Sequence, residues 1–79
     1  MNLIYWDDAV IINIADGITH SISNIADAEN FMLSQWDRFD LKSMGEAVTA
    51  CLTCSHDFIS TENARVAFER TAKISGILA

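Results

Sequence analysis

Apolar and polar residues along this chain change period twice, and those changes predict its elements. Residues 9–15, Ala-Val-Ile-Ile-Asn-Ile-Ala, are rich in β-branched side chains and too short for an ordinary helix. Asp16-Gly17 follows, then an alternating run from Ile18 to Ser23 with His20 between Ile18 and Ile22. This predicts an antiparallel β-hairpin over about residues 9–23. A two-residue Asp-Gly turn would set Ala15 opposite Ile18 and split the apolar residues between two faces. A three-residue loop, Ala15-Asp16-Gly17, sets Ile14 opposite Ile18, Ile12 opposite His20 and Val10 opposite Ile22, which gathers them on one face. A one-residue slip inverts every side chain, so the second register is favoured, with Gly17 at the left-handed position of a bulged turn.

Beyond residue 23 the spacing becomes helical. Ser23 or Asn24 caps a helix over about 24–37, with Ile25, Ala28, Met32 and Trp36 as its inner stripe. Glu29 and Phe31 fit that stripe poorly. Asp37–Lys42 reads as a polar connection. A second helix over about 42–58 turns Met44, Ala47, Val48, Cys51, Ser55 and Phe58 inward. Ser60 or Thr61 caps a third, over about 61–75, whose inner side is Ala64, Ala67, Phe68, Thr71 and Ile74. Glu62, Arg65, Glu69 and Lys73 form its outer stripe at ion-pairing spacing. Gly76 suits a helix C′ position, and Ile77 the apolar contact that accompanies it. The fold class expected is α+β, one domain spanning residues 1–79, with the hairpin packed against three helices.

The pattern, taken as a whole, resembles a family of short bacterial proteins, mostly rhizobial, catalogued as domain of unknown function nine-eight-two. The resemblance covers nearly the whole chain. It rests on Trp6 and Val10 opening the hairpin, Ala28 and Trp36 on the first helix, and Ala47-Val48-Thr49-Ala50-Cys51 on the second. The most specific block is the last: Ala64-Arg65-Val66-Ala67-Phe68, Thr71-Ala72 and Ser75-Gly76-Ile77. Ala9 and Asp37 stand where the family tends to have proline, and Asp57 where it has glycine; these changes bear on turn rigidity. The resemblance implies the fold and a bacterial origin, and brings no activity with it.

Charge narrows the partners. Eleven acidic residues against five basic ones leave a net charge of −6, and the basic residues are scattered. A nucleic-acid binder needs a basic footprint to displace counterions from phosphates, so nucleic acid is not an expected partner. An anionic membrane surface is disfavoured on the same ground, and no apolar run approaches the ~18 residues a span needs. Asp7 and Asp8 lie where a leader would be basic, so a cytoplasmic location is expected.

Candidate chemistry is thin. Cys51-Leu52-Thr53-Cys54 has the CxxC spacing, but redox chemistry wants the first cysteine at a helix N-terminus, and Cys51 falls mid-helix on the apolar stripe. Cys51, Cys54 and His20 would give a metal at most three ligands, with His56 directed elsewhere. Ser55-His56-Asp57 are neighbours that diverge on a helix, unlike a triad. The carboxylates are dispersed, with no pair held across a cleft. His20 reads as a partly buried, hydrogen-bonded histidine, and alternatively as a pH-sensitive contact. Trp36 reads as core, whereas Trp6 covers either its own core or a partner's. Arg65 reads as an ion pair with Glu62 and Glu69, or as an anchor for a carboxylate elsewhere.

The function expected is therefore a non-enzymatic interaction module without cofactor, homodimeric through the hairpin edge or bound to another protein. A small thiol or metal protein centred on Cys51 and Cys54 is the alternative, and a small-ligand binder the third reading. The first strand is isoleucine-rich and uncharged between residues 9 and 15, which nominates Ile11 and Asn13 as pairing positions, with Trp6 and Arg65 as further contacts.

Overall fold

The structure, a computed structural model, describes residues 5–54 and 57–79. It is the expected α+β arrangement: a hairpin of β1 (Tyr5–Ala15) and β2 (Ile18–Asn24), then α1 (Ile25–Ser34), α2 (Leu41–Leu52) and α3 (Phe58–Ile74). A single 3-10 turn, Trp36–Arg38, links α1 to α2.

The inner register is the one that parity favours: Val10 faces Ile22 and Ile12 faces His20. Its closure differs. Ala15 pairs with Ile18 around Asp16-Gly17, and the ladder slips between Asn13 and Ala15. The slip leaves Ile14 as an extra residue, so a short turn and a one-sided apolar face coexist. Gly17, at φ 74°, supplies the left-handed residue the turn needs. The ladder is irregular again at its start. Four residues, Trp6 to Ala9, stand opposite Ser23 alone. That bulge leaves Asp7 and Asp8 in water and Trp6 in the core.

Three capping carboxylate or amide side chains start the helices. Asn24 Oδ1 accepts the Asp27 amide at 2.8 Å, and its Nδ2 donates back to the Asp27 carboxylate at 3.1 Å. Asp40 accepts the Ser43 amide at 3.1 Å, and this bond holds its carboxyl below the ordinary aspartate value. Asp57, rather than Ser60 or Thr61, caps α3, which therefore begins earlier than its spacing suggests. The expected inward positions Ser55 and the side chain of Phe58 lie outside the described residues, as does His56.

The core joins Val10, Ile12 and Ile22 of the hairpin to Ala28 and Met32 of α1, Ala47 and Cys51 of α2, and Ala64, Phe68 and Ala72 of α3. Phe68 is fully buried at its centre. Its ring centroid lies 6.1 Å from Trp6, 6.3 Å from Phe39 and 6.5 Å, edge-on, from Phe31. Between α2 and α3 a buried hydroxyl pair, Ser43–Thr71, closes at 2.8 Å, and Ser75 Oγ accepts the Asp40 amide at 2.7 Å.

Trp36 corrects the expected α1 stripe. It belongs to the core only if the helix continues past it, and α1 stops at Ser34. The 3-10 turn carries Trp36 outward, 57% exposed, and Phe39 fills the core in its place. Ile74, expected inside, is exposed on the last turn of α3, and Ala72 is buried instead.

The end of the chain completes the hairpin layer. Gly76, at φ 75°, ends α3: its amide bonds the Lys73 carbonyl, and the Ile77 amide reaches back to Ala72 at 3.0 Å, a Schellman closure. The next residues run antiparallel to β1. Asn13 donates to the Ile77 carbonyl at 2.7 Å, and Ala79 donates to the Ile11 carbonyl at 2.9 Å.

Candidate interaction site

Each candidate residue can now be placed. Ile11 and Asn13 were nominated because their outward backbone groups seemed open. They are not: the tail takes the Asn13 amide and the Ile11 carbonyl. Arg38, on the 3-10 turn, extends the cover. Its Nη1 donates to the Ile14 carbonyl at 2.8 Å and its Nη2 to the Asn13 carbonyl at 3.3 Å. The stretch of β1 proposed for pairing is therefore closed from Ile11 to Ile14. Sequence reasoning saw Arg38 only as one scattered cation. Nothing in its spacing links it to a bulge more than twenty residues away.

Trp6 is 6% exposed against Phe68, so it covers its own core and is not presented to a partner. Its indole N–H has no acceptor among the described residues. Arg65 is engaged on its own helix: Nε donates to Glu62 at 2.8 Å and Nη1 to Glu69 at 3.2 Å. The bond from Arg65 lowers the Glu62 carboxyl pKa, and Glu62 in turn raises that of the guanidinium. His20 faces Ile12 as expected but is exposed, its ring stacked on Phe31 at 6.4 Å and 14°. It sits at the margin of the apolar face, where α1 gives out, so stacking takes the place of burial.

Neither cysteine forms a disulfide: Cys51 is buried, and Cys54 is half-buried with its sulfur 3.7 Å from the Thr61 hydroxyl. Burial, with smaller contributions from Glu29 and Cys54, pushes Cys51 up to about 11. A folded-state value above the ordinary 9.0 adds stability that is complete below pH 9 and is lost as pH rises toward 11. At pH 8 a thiol reagent is expected to modify Cys54 well ahead of Cys51 in the folded chain; equal rates would contradict the buried placement. Among the described residues no three His, Cys, Asp or Glu side chains converge as a metal site.

The remaining surface is the other side of the hairpin. Asn13 and Ile11 direct their amide and carbonyl groups to the tail, so Val10 and Ile12 direct theirs to β2. On β2, Ile22 and His20 then face β1, while Thr19, Ser21 and Ser23 face away. Among the described residues no backbone partner meets that edge. It carries no charge, proline or bulge: Ile-Thr-His-Ser-Ile-Ser-Asn. Beneath it, between β2 and α1, runs an open groove of about 420 Å³ lined by His20, Asp27, Asn30, Phe31 and Ser34. A second cleft, about 360 Å³, lies at the turn end beside Arg38, Gly17 and Gly76.

A family model described as "Protein of unknown function (DUF982)" matches residues 8–79. The chain belongs to that family. The match covers β1 from Asp8 onward, β2, all three helices and the C-terminal tail. No curated protein and no solved structure matches the chain. Among the described residues of this DUF982 chain, no helix is long and apolar enough to cross a membrane.

Proposed function

We propose that the chain is a non-enzymatic protein-interaction module that takes a partner strand on the open edge of its hairpin, in the simplest case as a homodimer. One observation carries this reading. The outward backbone groups of Thr19, Ser21 and Ser23 form an uncharged edge with no partner among the described residues, whereas the opposite edge is closed from Ile11 to Ile14. Such edges are normally blunted by charge, proline or cover, and one left open is a template for strand addition. The groove beside it gives a partner's side chains somewhere to lie.

The net charge of −6 argues against nucleic acid as that partner. Two cysteines that form no disulfide suit a reducing cytoplasm, where we place the protein. The raised Cys51 thiol disfavours the thiol alternative.

Ser21→Pro tests the module. Proline removes the outward N–H of the edge and leaves the β1–β2 ladder intact, because Ser21 does not donate across the hairpin. The folded wild-type chain is expected to be recovered from its native cell with a bound partner, itself or another protein, that the variant no longer holds. Equal recovery by a folded Ser21→Pro chain would contradict the assignment to this edge.

A further inference from the structure

We infer that the partner is a second copy of this chain, its β2 paired antiparallel to the first across a two-fold axis through Ser21. This rests on the module reading above and deepens it. Four features of the structure support it.

The first is register. Thr19, Ser21 and Ser23 present their backbone groups outward, and the same three on a second copy match them only with Ser21 opposite Ser21 and Thr19 opposite Ser23. Three such pairs exchange about six backbone hydrogen bonds. Side chains agree with this register. On the outer face it aligns hydroxyl with hydroxyl, a favourable cross-strand pairing. On the inner face it sets His20 of each copy opposite Ile22 of the other; His20 is exposed there, while Ile22 is covered by its own core.

Charge is the second. Two chains of net charge −6 repel, and the contact that costs least is one without charge of its own. All seven residues of β2 are uncharged, whereas the start of β1 carries Asp7 and Asp8.

Closure is the third feature. Among the described residues, each chain has one edge without a partner and one closed from Ile11 to Ile14 by the C-terminal tail and Arg38. Self-pairing of the open edges uses both and leaves only the start of β1, which Asp7 and Asp8 guard, so assembly stops at a dimer with a continuous sheet. Were both edges open, the same chemistry would run on to filaments. Location is the fourth: the groove lined by His20, Asp27 and Asn30 opens alongside this edge, where the second copy's inner face would lie.

The test uses the full chain in three forms: wild type, Ser21→Lys and Ser21→Glu. On the axis each substitution meets its own copy directly, at strand-pair distance. Sedimentation over a concentration series is expected to show a dimer for the wild type and at least about tenfold weaker dimerisation for each variant alone, like charges opposite one another being unfavourable. Mixed in equal amounts, the two variants are expected to recover dimer, because lysine of one chain then faces glutamate of the other. Circular dichroism confirms that each is folded. Variants that dimerise as the wild type does, or a mixture that fails to recover it, would overturn the axis. A wild-type chain monomeric to millimolar concentration would overturn self-pairing outright. Should that monomer still capture another protein in a Ser21-dependent way, the module reading stands and only the identity of the partner falls.

Discussion

Phe68→Ala is expected to destabilise the domain by about 3–5 kcal/mol, read as a lowered urea midpoint at unchanged slope. The side chain is fully buried and touches every layer of the fold: Trp6 from the bulged strand, Phe31 from α1 and Phe39 from the link to α2. No neighbour can collapse into the space easily, since Trp6 and Phe39 are themselves fixed by the chain on either side. A domain of this length has total stability of roughly 4–12 kcal/mol, so this one truncation removes between about a quarter and all of it. Leu52→Ala, at a side chain 70% exposed, is the control and is expected to change stability by under about 0.5 kcal/mol. A loss below about 1 kcal/mol at Phe68 would mean that the aromatic cluster is not the centre of the core.

Removing residues 77–79 is expected to have two effects at once. Stability falls by about 2–4 kcal/mol, from the buried Ile77, the half-buried Leu78 and the helix-closing bond to Ala72. Association changes in kind. With the tail gone, the Asn13 amide and the Ile11 carbonyl lose their partners, and the isoleucine-rich middle of β1 becomes a second open edge beside β2. Light scattering is expected to find species larger than a dimer, growing with concentration. A truncated chain of wild-type stability that stays at its original size would show that the tail neither packs nor guards the strand.

How much of this could be read in the sequence depended on whether the determinant was local. Side-chain parity requires Val10, Ile12 and Ile22 on one face, so the inner register was legible. Parity does not say where the odd residue goes: the chain uses Ile14 rather than a longer loop. The α3 terminus was legible because Gly76 and Ile77 act on the turn beside them. Trp36 misled because its spacing is helical, and the helix stops two residues short of it. No local signal gives that stop, which is decided by Phe39 reaching the core.

The edges show the same division between local and distant causes. From β1 alone, an uncharged isoleucine-rich strand reads as an open template, and the structure corrects that reading. What closes it comes from Arg38 and from the last three residues, both distant in sequence and neither marked by composition. The open edge is the one on β2, an alternating run of apolar and small polar residues. The caps show it on a smaller scale: Asn24 was legible in its first turn, whereas Asp57 took the α3 cap from Ser60 and Thr61 by starting the helix early.

Amide hydrogen exchange, resolved to single residues, separates the hairpin's two sides directly. At low protein concentration the Asn13 amide is expected to exchange slowly, held by the Ile77 carbonyl, while the amides of Thr19 and Ser21 exchange fast and become protected as concentration rises. Fast exchange at Asn13, together with concentration-independent protection at Ser21, would contradict the picture of a hairpin closed on one side and open on the other.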